Sequence, residues 1–294
     1  MMITRLKLLM GWLICLPLLL HTTTLAAAGS EAEPKRAILL VAFGTSLSDS
    51  KGAIDRVGEK VAKAFPNTEI RWAYTSKIIR KILRKRGEEI LSPAEALAKL
   101  GEDGYSNVYV QSLHIIPGDE YDDLVQTANA FTKMPKGIRQ VTVGTPLLWS
   151  DADMCEVASA LMANVPAERK GKEAVVFMGH GSKHTSNVYY PAMQYYFAKV
   201  DANTYIGTVE GTPTLDDVVA SLKAKGVKKV WLMPFMLVAG DHAVNDMAGS
   251  EPTSWKSLLT KEGFTVEVVL KGMGELDAIG SIWVKHLQQI AAGK

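Results

Sequence analysis

Cysteine is scarce in this chain of 294 residues: there are two, Cys15 and Cys155. Cys15 falls in a leader-like segment, which leaves Cys155 alone in the remainder. No intramolecular disulfide and no cysteine-built metal cluster can then form, so stability must come from an apolar core. An excess of charge is missing as well. Lys and Arg number 33 against 31 Asp and Glu, and leaving out Arg5 and Lys7 in the leader brings the formal balance to zero. No nucleic acid partner is implied by such a surface. The phosphate-cradling pattern G-x-x-x-x-G-K-[ST] is absent, so no ATP is expected. The patterns G-x-S-x-G and H-E-x-x-H are absent too, which leaves hydrolase chemistry little support.

The first thirty residues, MMITRLKLLMGWLICLPLLLHTTTLAAAGS, combine Arg5 and Lys7, an apolar run from Leu8 to Leu20, and the small residues Ala26-Ala27-Ala28. These are the three parts of a secretory signal. The expectation is a signal peptide over 1–28, cleaved near Ala28, and a periplasmic protein. The apolar run is shorter than the roughly 20 residues a membrane-spanning helix needs, so no permanent membrane anchor is expected. Ile14 is too bulky for the lipoprotein site that Cys15 would otherwise suggest. About 265 residues then remain, enough for one large or two medium domains.

From Lys35 onward, apolar runs of strand length alternate with amphipathic stretches of helix length, the pattern of βα units around a parallel sheet. Strands are predicted over 37–43, 68–74, 106–113, 139–143, 173–179, 204–209, 228–236 and 264–270. Runs such as AILLVAF and AVVFM are apolar throughout, as in strands covered on both faces. The two halves echo one another: LLVAFGTS parallels VVFMGHGS, and NVYVQSLHIIPGDEYDDL parallels KKVWLMPFMLVAGDHAVNDM, with Gly118-Asp119 over Gly240-Asp241. A duplication of this length implies an α/β fold of two similar domains, each a parallel sheet flanked by helices, with the active site in the cleft between them. The domains are placed at 29–150 and 165–275, and a C-terminal helix over 276–294 packs back on one of them. His286 lies near the apolar stripe of that helix and is assigned to packing or surface.

His180, Glu210 and His242 are spaced by about one βα unit each, so all three fall near the carboxyl ends of successive strands, the edge where open parallel sheets bind ligands. Each alone reads as an ordinary loop residue; their shared register makes them a site. Gly179 and Gly181 bracket His180 and free its backbone for close approach of a ligand. Two imidazoles and a carboxylate suit Co²⁺, Ni²⁺, Fe²⁺ or Zn²⁺ and leave coordination positions open. A carboxylate can also accept protons where its geometry permits. His184 forms an alternative H-x-x-x-H pair with His180, although a surface role is favoured because the helix should begin only near Ser186-Asn187.

The motifs GHGSKH with Asn187 downstream, TVEG at 208–211 and LVAGDHAxNDM at 237–247 resemble the class II chelatases, specifically the anaerobic-type sirohydrochlorin cobaltochelatases. AFGTS at 42–46 and SLHIIPGDEY at 112–121 extend the resemblance over essentially the whole mature chain. It implies insertion of Co²⁺, with Fe²⁺ as a further metal, into a tetrapyrrole without ATP, by a homo-oligomer. It also implies that His180, Glu210 and His242 are the catalytic and metal-binding residues. The export signal departs from the family, since cobalamin biosynthesis is expected in the cytoplasm.

A tetrapyrrole needs apolar walls and cations at its rim. Met178, Met233, Phe235 and Met236 are candidates for walls, with core packing the alternative. Lys77, Arg80, Lys81, Arg84, Lys85 and Arg86 form a basic helix after the second strand, from which Arg80 or Arg84 can hold carboxylates, unless the helix face is simply solvated. His114 and Glu120 are possible cleft residues, and export raises the possibility of haem bound axially by His114. The rival to an enzyme is an exported carrier of metal or haem that binds in the cleft without turnover.

Overall fold

Among the described residues, eight parallel strands make two sheets of identical order. The computed structural model describes residues 34–293, so the signal peptide expected over 1–28 lies outside the described residues. The first sheet is ordered β2-β1-β3-β4, from β1 (Arg36–Ala42), β2 (Glu69–Tyr74), β3 (Asn107–Ser112) and β4 (Gln140–Gly144); the second is β6-β5-β7-β8, from β5 (Ala174–Gly181), β6 (Thr204–Glu210), β7 (Lys229–Phe235) and β8 (Thr265–Val268). All eight predicted strands are present, each within two residues of the expected ends. The uniformly apolar runs take the interior places: Ala37–Ala42 are fully buried in β1, and Ala174–Met178 in β5. The partly exposed segments QVTVG and TVEV form the edges β4 and β8. The repeated strand order is the structural form of the sequence duplication.

Helices fill the crossovers: α1 (Ser48–Ala64), α2 (Lys77–Lys85), α3 (Pro93–Glu102), α4 (Asp119–Phe131), α5 (Asp151–Met162), α6 (Tyr189–Val200), α7 (Leu215–Ala224) and α8 (Trp255–Lys261), with α9 (Asp277–Ala291) at the end. Their starts are written in the sequence. Ser92, Ser150 and Thr214 each accept a backbone N–H in a capping box completed by Glu95, Asp153 and Asp217, which satisfies donors that a helix otherwise leaves open.

The halves exchange their last helices. Helix α5 follows the first sheet yet packs on α6 of the second half, while α9 follows the second sheet yet packs on β3, β4 and α1 of the first. One apolar cluster therefore runs through both halves, joining Ile54, Leu113 and Leu147 to Phe177, Phe197 and Trp283. Pro34–Lys294 group as a single compact unit.

His286, 3% exposed, anchors this exchange. Its Nε2 lies 3.1 Å from Asp153 Oδ1 and its Nδ1 lies 3.3 Å from the Thr145 carbonyl, so the packing role expected for it includes a buried polar pair. Desolvation pushes the Asp153 carboxyl up, but the Ser150 hydroxyl and His286 outweigh it and hold the group below its ordinary range. A depressed carboxyl stabilises the fold above its unfolded pKa of about 3.9 and loses that contribution as pH falls through the lower folded value. Asp153→Ala removes a capping box and strips a buried imidazole of its partner. The expected cost is about 3 kcal/mol, read as a lower Tm at neutral pH, with the gap to the parent protein closing in strong acid.

Candidate metal and substrate site

The carboxyl edge of the second sheet is built around β5, which has β6 on one side and β7 on the other. The β5–β6 pairing continues to its last residue, Gly181 opposite Glu210. Gly181 has φ +81°, and a Cβ there would lie 1.6 Å from the Glu210 carbonyl oxygen, so no other residue fits that turn without moving β6. On the other side of His180, a Cβ at Gly179 would come 2.5 Å from the Tyr190 ring. Tyr190 is buried and bonds the Gly181 backbone; burial pushes its phenol up to about 12, against that bond. His180 is thus held between two glycines by packing from below and pairing from the side.

His242 reaches the same edge from a different kind of segment. After β7 the chain passes through Gly240-Asp241 into a π-helix, His242–Met247. Single π turns are rare and cluster at functional sites. The His180 and His242 rings meet edge to face with centroids 4.8 Å apart. His180 Nδ1 is 3.0 Å from the Gly181 carbonyl, and His242 Nδ1 is 2.5 Å from Asp246 Oδ2.

Of the three expected site residues, the two histidines are brought together as side chains. Glu210 is placed beside them by its backbone, with its carboxylate exposed to solvent. Among the described residues, no three His, Cys, Asp or Glu side chains stand as a ready metal-holding group.

Asn187 connects the loops after β5 and β6. Its Oδ1 accepts the Ser182 N–H at 3.1 Å, and its Nδ2 donates to the Thr212 carbonyl at 2.8 Å and hydroxyl at 3.2 Å. His184 is turned away from the histidine pair: Nδ1 faces the Ser186 hydroxyl at 2.9 Å and Nε2 faces Asp122 of the first half at 3.5 Å. That contact, with the Ser50 hydroxyl donating to the Ala239 carbonyl at 2.5 Å, ties the carboxyl edges of the two sheets to each other. A 3₁₀ turn over Thr185–Val188 precedes α6, close to the helix start expected near Ser186-Asn187.

The wall residues need correction. Met178, Met233 and Phe235 are core residues, 0 to 3% exposed, and Met236 packs on the core of the second sheet; strands covered by helices on both faces turn these side chains inward. Exposed apolar groups on segments at or after the strand ends include Phe43 just beyond β1, Val209 beside Glu210 and Val244 on the π-helix. Sequence reasoning missed them, because an apolar residue at a strand end carries no mark that separates core from surface.

Arg80 is half-buried and partly committed to the backbone. Its guanidinium donates to the carbonyls of Tyr74 and Thr75 at the end of β2. Arg84 is exposed on α2 with Lys77, Lys81 and Lys85, and Arg86 donates to the Ser46 carbonyl. His114, beyond β3, sits 2.8 Å from the Ser112 hydroxyl through Nδ1. Its Nε2 is covered and has no hydrogen-bond partner, and burial pushes the ring down to about 4. An axial bond to haem would require that cover to move. Glu120, at the start of α4, is half-buried.

Two parallel βα halves with facing carboxyl edges and a histidine pair on one of them define a chelatase-type fold, and solved chelatase structures share it. SirB from Bacillus subtilis with Fe³⁺ aligns at TM-score 0.55 and 14% identity, covering 88% of this chain and 96% of that one. CbiX, the terminal enzyme for siroheme biosynthesis in denitrifying bacteria, aligns at 0.54 and 15%, covering 86% and 98%. The cobalt chelatase (CbiK) family model matches residues 36–292. The sirohydrochlorin cobaltochelatase CbiKC of Nitratidesulfovibrio vulgaris is 44% identical over 253 residues, 86% of this chain and 89% of that protein. The sirohydrochlorin cobaltochelatase of Salmonella typhimurium is 39% identical over 257 residues, 87% and 96%. The chain belongs to the cobalt chelatase (CbiK) family.

Because the Asn187 amide uses both its ends, Asn187→Ala is expected to cost about 1 to 2 kcal/mol and to speed amide hydrogen exchange over residues 210–212. Unchanged exchange would mean that the Glu210 loop is held by other contacts.

Proposed function

We propose that this protein inserts Co²⁺ into sirohydrochlorin without ATP, with His180, Glu210 and His242 as its metal-handling and catalytic residues. The observation that carries the reading is the contact of the His180 and His242 rings at the sheet edge in a member of the cobalt chelatase family. Both Nδ1 atoms face oxygens that accept hydrogen bonds, so both Nε2 atoms are left as lone-pair donors to a divalent metal substrate. Two nitrogen donors hold such an ion without enclosing it, which suits a metal that must be passed on.

The macrocycle loses two pyrrole protons as it takes up a dication, so the exchange is balanced in charge and needs neither a redox partner nor a nucleotide. Glu210 is the nearby carboxylate able to accept such a proton once its exposed side chain turns toward the histidines. Phe43, Val209 and Val244 offer apolar surface to the ring, and Lys77, Lys81, Arg84 and Lys85 offer cations to its carboxylates. Fe²⁺ fits the same donors, and self-association of the chain forms part of the reading through the family.

Purified protein starting at residue 29, mixed with sirohydrochlorin and Co²⁺ without ATP, is expected to turn over many equivalents, followed by absorbance. His180→Ala or His242→Ala should lower kcat/KM about a hundredfold or more. Stoichiometric binding without turnover would replace the enzyme by a carrier. Export belongs to the same proposal: protein recovered from the periplasm should begin near Gly29 by N-terminal sequencing, and recovery of the whole chain with its Met1 in the cytoplasm would overturn it.

A further inference from the structure

We infer that Asp246 is a positioning residue for metal capture, holding the Nδ1–H of His242 so that its Nε2 faces the incoming ion as a strengthened donor. The inference rests on the reading of His242 as a metal-handling residue. The bond is short, 2.5 Å between Nδ1 and Oδ2, and spans one turn of the π-helix. An ionised carboxylate only accepts, so in the neutral imidazole the proton sits on Nδ1 and the lone pair on Nε2. A carboxylate partner also raises the basicity of a metal-bound histidine. His180 has the same tautomer set by a weaker means, the neutral carbonyl of Gly181 at 3.0 Å. The two donors at the edge are therefore held by unequal partners, a carbonyl for His180 and a carboxylate for His242.

Asp246 has no evident task in building the turn. The π segment is closed by its own backbone, Ala248 N–H to the Ala243 carbonyl at 3.2 Å, and by Asn245 Nδ2 to Asp241 Oδ1 at 2.8 Å. Asp246 itself is solvent-exposed and packs in no apolar cluster. The duplication supplies the comparison. With Gly118-Asp119 over Gly240-Asp241, Glu120 lies over His242 and Leu124 over Asp246. Leu124 is 1% exposed and faces the core from the regular helix α4. In the half that carries the histidine the π turn puts Met247 in the core and leaves Asp246 exposed beside the histidine.

The test is steady-state kinetics on the full mature protein, varying Co²⁺ and sirohydrochlorin separately, for Asp246→Ala, Asp246→Asn and Asp246→Glu beside His242→Ala. Asp246→Ala is expected to raise the KM for Co²⁺ about tenfold or more and to leave the KM for sirohydrochlorin within about twofold. Asp246→Asn keeps an acceptor for Nδ1–H without the charge, so it should fall between alanine and the parent protein, and Asp246→Glu should rescue in part. The double variant with His242→Ala should lose no more than His242→Ala alone. An unchanged KM for Co²⁺ in Asp246→Ala, an equal rise in both KM values, or a further loss in the double variant would overturn the inference while leaving His242 in place. Parent-like turnover by His242→Ala would instead remove the reading on which it rests. If Asp246→Ala does not fold, Asp246→Asn and Asp246→Glu carry the comparison, and matching parental KM values for Co²⁺ in both would overturn it.

Discussion

The site depends on one close approach of backbone to backbone. Gly181 runs so near the Glu210 carbonyl that a single added carbon would overlap it, and this nearness lets β5 and β6 stay paired to their last residues. If the strands splayed one residue earlier, His180 and Glu210 would sit on separate loops with separate motions. Pairing to the end fixes both by main-chain hydrogen bonds, which keep their geometry better than side-chain contacts do. Tyr190 beneath Gly179 and Asn187 across the loops support that arrangement without touching a metal.

The second half departs from the pattern of the first at the candidate site. After β3 the chain starts a regular helix at Asp119, with Tyr121, Leu124 and Ala128 turned to the core. After β7, with the same Gly-Asp entry, it takes a π-helix of six residues that buries Ala243 and Met247. A π turn packs less regularly than an α-helix and is seldom kept without a reason. Here it presents His242 to His180 and Asp246 to His242. The same topology thus carries a regular helix in one half and the candidate site in the other.

Much of this was legible from the residues. Every strand could be placed because interior strands of a doubly covered sheet are apolar throughout and are punctuated by glycine, proline and polar turns. The register of His180, Glu210 and His242 followed from counting βα units. Side-chain direction was less legible. Met178 and Phe235 belong to the core while Phe43, in an equally apolar run, is 49% exposed. Arg80 looked like a ligand group, yet it satisfies carbonyls left open at the end of β2, a demand visible only once strand and helix meet. The Asp246 bond was hidden too, because four residues span a turn only if the segment is helical, and a π-helix leaves no periodic mark over six residues.

The exchange of terminal helices explains how two weakly coupled sheets can present one rigid edge. A site shared between halves loosens if each half carries only its own helices, since interfaces between domains tend to be polar and to slide. In this chain α5 and α9 cross over, the apolar cluster passes through both halves, and the His286–Asp153 pair joins the two crossing helices. Separating the halves would then strip apolar surface from both sheets and part the buried His286–Asp153 contact, leaving buried polar groups without a partner. At the sheet edges the polar contacts between the halves include His184 with Asp122 and the Ser50 hydroxyl with the Ala239 carbonyl. Those contacts are exposed or part-buried polar ones, of the kind that separate and re-form at little cost.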